Sequence, residues 1–474
     1  MEEFFENEAV KRFEEMLDNN EEVFFDTEEY EDIISYYLEI GDYQYAEAAI
    51  KYAQKLYPDS VNIKVRKLEF LLEKEDNVKA KALMKELEGI AEDNLDYIIC
   101  CAKYYSNMGN PRKAIVLCEK ALEKEEDEDF IHNFIADEYK NLDDPFSALK
   151  HYKLALNFEP NDEYALESIM LCYSEMSRSE EALTFINGYL DNYPFSETAW
   201  YEYGIFHFNK KNYQEAIKGF DYLLAINPNS MAVYTNKAAC YEALQEWEKA
   251  IETYTDSQEY EFTKSYSFYK IGQCYQKMGQ LIPALNALQK SLHEDPQFHP
   301  SMIAISDIYE ELGNLNEAAH FALEASRLNE NNLDIQKKLA FLYISLGKLE
   351  EALICLKKMV ETEPGRFYNW YAYTEVLMLV GDYDKAEEKL LIALERHKRA
   401  ELYYQLSNCY FNLKRDTEAR ATLDQALRLD PTLMKDMQMK YPYIDAEIEK
   451  NAPKRNSFFN YELRITNYEL RITN

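Results

Sequence analysis

Glycine and proline are scarce, at 12 and 13 residues in a chain of 474. Folds made of many short strands and tight turns use more of both, so helices joined by short connections are expected. A basic excess is missing too. The chain carries 87 acidic against 52 basic side chains, a formal net charge of −35. Phosphate backbones and anionic membrane surfaces are held by Lys and Arg, so neither nucleic acid nor membrane is an expected partner. No apolar run approaches the roughly 18 residues needed to cross a bilayer. The start, Met1-Glu2-Glu3-Phe4-Phe5, lacks the basic and then apolar regions of a secretory leader, and a cytoplasmic location is expected.

Catalytic and ligand patterns are lacking as well. The sequence has no Gly-rich phosphate loop, no His-Glu-x-x-His and no Cys-x-x-Cys. Neither an enzyme, nor a cofactor, nor a metal site is therefore expected. Eight cysteines are present, but Cys172, Cys240, Cys274 and Cys409 recur at one place in a repeat, where a small apolar residue suits a packed helix. The adjacent Cys100 and Cys101 have no further ligand spacing beside them.

What is present is a period. Ala46, Ala80, Ala114, Ala148, Ala182, Ala216, Ala250, Ala284, Ala318, Ala352 and Ala386 follow at intervals of 34, and Ala419 after 33. Nine residues before the alanine stands Tyr37, Tyr105, Tyr139, Tyr173, Tyr241, Tyr275, Tyr309, Tyr343 or Tyr410, with Leu71, His207 and Leu377 in the gaps. Five before it stands Gly41, Gly109, Gly279, Gly313, Gly347 or Gly381, where a permissive backbone lets a helix end and turn. Twelve after it stands Pro58, Pro160, Pro194, Pro228, Pro296, Pro364 or Pro431, which stops the second helix. Apolar residues between these marks keep helical spacing, as in Ile271, Cys274, Tyr275 and Met278, then Ala284, Leu285, Leu288 and Leu292. The alanine marks a point where two helices come too close for a larger side chain.

The unit 265–298, with Phe268, Ile271, Gly272, Tyr275, Ala284 and Pro296, resembles a tetratricopeptide repeat. So do 197–230, with Trp200, Gly204, Ala216, Phe220 and Pro228, and 129–162, with Ile135, Ala136, Tyr139, Ala148, Tyr152, Ala155 and Pro160. The resemblance covers twelve units: 27–60, 61–94, 95–128, 129–162, 163–196, 197–230, 231–264, 265–298, 299–332, 333–366, 367–399 and 400–433. It implies an all-α fold, an α-solenoid of antiparallel helix pairs forming a right-handed superhelix. Unit 61–94 lacks the Gly and Pro marks. Unit 231–264 lacks the terminal Pro and reads Glu259-Tyr260-Glu261-Phe262, a looser joint.

A repeat array needs capped ends. Residues 1–26 are expected to hold an acidic capping helix, with Phe5, Ala9, Phe13 and Leu17 on one face. Residues 434–459 are expected to form a C-terminal cap and linker, with Leu433, Met437 and Ile444 apolar and Pro442 breaking any helix. Residues 460–474 repeat Asn-Tyr-Glu-Leu-Arg-Ile-Thr in tandem. The heptanucleotide AATTACG in tandem encodes that cycle, so the tail reads as a translated intergenic repeat expected to stay unstructured. A β-prone docking tail is the alternative, and scattered synonymous codons in the gene would favour it.

In the family the resemblance points to, first helices line a concave groove with positions 2, 5, 9 and 12 of each unit. Here these positions hold Tyr164, Tyr201, Ile205, Phe208, Tyr266, Tyr269, Gln273 and Gln276, then Tyr368, Tyr371, Met378, Tyr404, Asn408 and Phe411. Tyrosine offers apolar area and a hydroxyl at low entropic cost, which suits peptide recognition. The N-terminal units present Glu28, Glu31, Glu69, Asp96 and Asp137 instead. Residues 1–32 hold 14 acidic and 2 basic side chains. A basic partner segment would be steered to that end. Chaperone-binding members of the family clamp a carboxylate with Lys at position 5 and Asn at 9. No unit here has the pair, since Lys337 is followed by Phe341 and Asn408 is preceded by Tyr404. A chaperone tail is therefore not an expected ligand. The expected function is a non-enzymatic scaffold or adaptor that binds an extended peptide or a helix of another protein. The alternative is a peptide- or ligand-responsive receptor that changes its superhelical pitch. His207, in a tyrosine position, is expected to be packed and pH-sensitive.

Overall fold

The computed structural model describes residues 8–19, 23–123, 129–329 and 331–441. Among them are 26 α-helices and no strand. The last part of the C-terminal linker and the tandem heptapeptide lie outside the described residues, as do Phe5, Pro442 and Ile444.

From Thr27 onward the helices come in pairs. A first helix of 13 residues, such as Ser265–Lys277, is followed after three residues by a second of up to 14, such as Leu281–Glu294. First helices begin at Thr27, Val61, Leu95, Asp129, Glu163, Glu197, Met231, Ser265, His299, Leu333, Phe367 and Ala400. Many starts are capped by a side chain. Asp26 accepts from the Glu29 amide, and Glu29 accepts from the Asp26 amide. Pro111 and Pro145 sit in the first turn of their helices, where a missing N–H costs nothing.

The three-residue turn is the same throughout. Its middle residue, position 15 of the unit, has positive φ in all twelve pairs, from +56° at Glu75 to +80° at Gly381. In all but the first pair the next amide then reaches back to the carbonyl of position 11, as Gln280 does to Tyr275 at 2.9 Å and Lys348 to Tyr343 at 2.8 Å. Six of the twelve use a residue other than glycine: Glu75, Asp143, Ser177, Lys211, Gln245 and Lys414.

The alanine ladder lies at the contact of the paired helices. Eleven of its twelve members are wholly inaccessible, and Ala182 is 2% exposed. Position 8 meets position 24 across the same contact. A Cβ on Gly204 would stand 2.4 Å from the Phe220 ring, and one on Gly272 would stand 2.7 Å from Leu288 Cγ. Trp200 and Trp370 each donate their indole N–H to the proline carbonyl that closes the preceding unit, Pro194 and Pro364, at 2.8 Å. The chain divides into two compact units, Met1–Cys240 and Tyr241–Asn474.

In the first unit, helix Glu8–Asn19 buries Ala9, Val10, Phe13 and Met16, with Leu17 packed at the edge. Phe13 meets Phe25, Tyr30 and Tyr37 at centroid distances of 6.0–6.4 Å. In the second unit, a 3-10 turn at Pro431–Leu433 leads into helix Met434–Lys440. The eight cysteines are buried and form no disulfide. Burial pushes the Cys172 and Cys355 thiols up to about 11, and those of Cys118, Cys240, Cys274 and Cys409 up to about 12. All are thus neutral packing groups near neutral pH. His207 is buried with neither ring nitrogen hydrogen-bonded, and burial lowers its pKa.

Candidate functional site

The groove positions lie on first helices, where one side of each helix packs on its second helix and another side stays accessible. Tyr164 and Tyr368 are about half exposed. Tyr201, Ile205, Phe208, Tyr266, Tyr269, Gln273, Gln276 and Tyr371 are partly buried. Within helix Glu197–Asn209, Tyr201, Ile205 and Phe208 therefore form a partly accessible apolar strip three and four residues apart. Within helix Ser265–Lys277, Tyr266 and Tyr269 lie 6.5 Å apart by centroids, and Gln273 donates to the Tyr269 hydroxyl at 2.7 Å. Gln276 donates to Glu311 at 2.9 Å.

Four of the expected groove residues are not available. Met378, Tyr404, Asn408 and Phe411 are buried. Tyr404 donates to the Asp430 carbonyl at 3.3 Å, and the Asn408 amide points at Met378 Sδ at 3.7 Å. The reason is the chain itself, because helix Met434–Lys440 lies against this face. Lys440 Nζ donates to the Tyr371 hydroxyl at 2.8 Å, and the Tyr441 hydroxyl donates to Glu375 at 2.7 Å. Tyr371 is thereby also engaged.

The acidic N-terminal positions are partly neutralised within the fold. Arg66 bonds Glu69 at 2.9 Å and Asp96 at 2.7 Å. Lys103 approaches Glu69 and Glu73 at 3.8 and 3.6 Å. Asp137 accepts from both the Tyr152 and the Tyr164 hydroxyls. Burial first, then bonding to this carboxylate, raises the pKa of each tyrosine. Glu31 accepts from Asn62 at 3.3 Å, and burial raises its pKa. Glu28 is exposed. Beside Asp137 is a hollow of about 210 Å³ lined by Ile99, Lys103, Phe130 and Phe134 among others. That is below the volume of an ordinary small-molecule site.

The groove positions taken from the sequence did not include position 6. This position carries the polar braces between consecutive first helices. Lys338 reaches back one unit to Asp307 and Glu310, both at 2.6 Å. Lys270 pairs with Glu242 at 2.9 Å. Gln405 donates to Glu375 at 2.8 Å and to the Tyr371 carbonyl at 3.0 Å. Asn236 donates to the Tyr201 hydroxyl at 3.3 Å. Burial opposes the Lys338 charge, but its two carboxylate partners more than offset this and hold its pKa above the usual value. The recurring polar residue in an otherwise apolar helix was the signal available.

Glu202 breaks that pattern. It occupies position 6 of its unit with no base beside it among the described residues, and burial first, then Glu167, pushes its carboxyl up to about 7. It lies next in sequence to Tyr201 on the aromatic strip. The arrangement offers apolar area and hydroxyls, with a carboxylate pair that would gain from a cation. Among the described residues, no three His, Cys, Asp or Glu are placed to hold a metal ion. Among them, too, no helix is long and apolar enough to cross a membrane.

Family models described as tetratricopeptide repeat match residues 173–230 and 377–433, residues 299–332 and 338–366, and residues 266–297. The chain is 27% identical over 259 residues to Hsp70-Hsp90 organizing protein 3 of Arabidopsis thaliana, covering 50% of this chain and 43% of that protein. The chain thus spans less than half of that relative. It is 24% identical over 404 residues to TPR repeat-containing protein MJ1428 of Methanocaldococcus jannaschii, covering 77% of this chain and 69% of the other. Among solved structures, the C-terminal part of a TPR repeat-containing protein from Cytophaga hutchinsonii is 22% identical, covering 49% of this chain and 96% of its own at a TM-score of 0.41. YrrB, described as a TPR protein with an unusual peptide-binding site, is 18% identical, covering 47% of this chain and 98% of its own at 0.30.

Proposed function

The chain belongs to the tetratricopeptide repeat family, whose members are typically protein–protein interaction scaffolds, and from that premise we propose that it binds an extended peptide or a helix of another protein through its first-helix face. The observation that carries the proposal is the strip Tyr201, Ile205 and Phe208, partly accessible, with Glu202 next to Tyr201 and within the field of Glu167, and with no base offsetting them among the described residues. Aromatic side chains on a rigid helix lose little freedom on binding. A carboxylate pair beside them favours a partner with a Lys or Arg next to an apolar residue. Tyr266 and Tyr269 offer the aromatic part of that chemistry in the second compact unit, with Lys270 already paired to Glu242 beside them, and each strip is taken as a separate contact. The basic partner segment expected at the N-terminal end is better served here, because Arg66 already holds Glu69 and Asp96.

The test compares partner capture by wild type with two variants, Tyr201→Ala/Phe208→Ala and Tyr266→Ala/Tyr269→Ala. Val116→Ala/Ile354→Ala, exposed on second helices, serves as control. Loss of the same partner by either strip variant, with retention by the control, supports the reading. Identical captured partners for all four chains would reject it.

A further inference from the structure

The last described helix is more than an end shield. Position-6 braces between neighbouring units join residues about one repeat apart, 30 for Gln405 to Glu375 and 31 for Lys338 to Asp307. Lys440 and Tyr441 reach back 69 and 66 residues, past helix Ala400–Asn412 to helix Phe367–Leu379. What they meet there is built for them. One oxygen of Glu375 accepts from the Tyr441 hydroxyl at 2.7 Å, from Gln405 at 2.8 Å and from Lys440 at 3.0 Å. Lys440 also bonds the Tyr371 hydroxyl and lies 4.7 Å from that ring's centre. Met437, three residues before Lys440, is buried in the core beneath. Tyr371, Glu375, Tyr404 and Asn408 are positions 5 and 9 of their two units, the same positions that carry the open strips elsewhere.

A shield over a terminal core needs only apolar side chains. A half-buried ion pair such as Lys440 with Glu375 adds little net stability, because each charge gives up part of its water, but it fixes which residue sits where. That is the chemistry of recognition. We propose that this face of units 367–399 and 400–433 is a peptide seat that the chain closes on itself with Leu433–Tyr441. Its outside ligand is a partner helix of matching chemistry, with an apolar residue three places before a lysine and an aromatic directly after it. The proposal rests on the peptide-binding reading above and names the ligand class for this one face. An outside helix competes with the tethered segment, so the seat answers only to a partner concentrated enough to displace it.

The experiment uses the full chain and a fluorescent peptide of residues 433–441, read by anisotropy. Lys440→Ser/Tyr441→Ser frees the seat, and affinity for the peptide should rise at least about tenfold over wild type, as the competent fraction rises. Adding Glu375→Gln should remove most of that gain. Equal affinity for wild type and the freed chain, or indifference to Glu375, overturns the proposal. Should the freed chain lose helix content, wild type alone decides. Amide exchange at 434–441 should quicken under saturating peptide, and unchanged exchange overturns the proposal. Wild-type dimers that form through these residues with rising concentration assign the seat to a second copy and also overturn it. Failure here, with the aromatic strip variants still losing their partner, reduces the segment to an end cap and leaves the peptide-binding reading standing.

Discussion

Single residues carry two kinds of tension in this protein. The first is at position 15, where the backbone is left-handed whether or not glycine is present. Ser177 and Lys211 hold φ of +57° and +60°. An L-residue with a Cβ is disfavoured there, and glycine is not. Ser177→Gly or Lys211→Gly should therefore raise stability by about 0.5–1 kcal/mol, after allowing for the greater freedom of an unfolded glycine. Gly313→Ala should lower it by about 1 kcal/mol, since its φ is +76°. Shifts of the urea midpoint would measure both, and no shift for either would show that the turn bends at no cost. The second tension is buried histidine. The His132 and His151 Nδ1 atoms lie 3.2 Å apart. Burial lowers the pKa of His132. Burial, with His132 next, brings His151 down to about 4. Neutral rings are what the fold holds. Their contribution is complete above the ordinary histidine value of about 6.5 and is lost as pH falls from there through about 4. Wild type should lose more melting temperature between pH 7.5 and 4.5 than His151→Leu does. Equal losses would show that the pair contributes nothing to acid sensitivity.

At the scale of the helix pair, closeness of approach decides what each position accepts. Gly204 lies against the Phe220 ring, and an added methyl would stand inside contact distance. Gly204→Ala should cost about 1–3 kcal/mol by overpacking, and Phe220→Leu should restore part of it. Denaturation of the two single variants and the double variant gives the coupling, and simple additivity would refute this contact as the cause. Between pairs, polar braces matter more than their number suggests. Lys338 has an 18% exposed side chain between Asp307 and Glu310. Lys338→Ala leaves two carboxylates facing each other, and should cost about 1–2 kcal/mol once solvent screening is allowed for. A cost that vanishes in high salt would show that the brace is only a surface pair.

At the scale of the whole chain, most of the architecture was legible from one repeating mark. The period of the alanines, the tyrosine nine residues before and the proline twelve after are local facts, and helix pairing follows from them because each hairpin is complete within 34 residues. The candidate surface was legible only in part. The open strip Tyr201, Ile205 and Phe208 could be named from position alone. Tyr404, Asn408 and Phe411 share that register but are buried, because a segment beyond the last repeat lies over them. Nothing local to Ala400–Asn412 marks that. Glu202 should make its own difference at this scale. Its carboxyl titrates near 7, so the fold is favoured while it is protonated, fully so below the ordinary carboxylate value, and loses that contribution as pH rises through about 7. Glu202→Gln should gain stability relative to wild type at pH 8 and little at pH 5 by thermal melts. A gain that does not change with pH would contradict this half-buried setting, which has no offsetting base among the described residues.

The sequence by itself determined the helices, their pairing, the turn between them and the small residues at the closest contacts, because each depends on neighbours within one repeat. The tertiary structure alone decided which groove positions stay open, which acids already have a base, and that six turns keep a left-handed residue without glycine. Those outcomes depend on contacts between one repeat and the next, or on a chain segment two repeats away. Hydrophobic periodicity reports which face of a helix avoids water, but it does not report what covers that face.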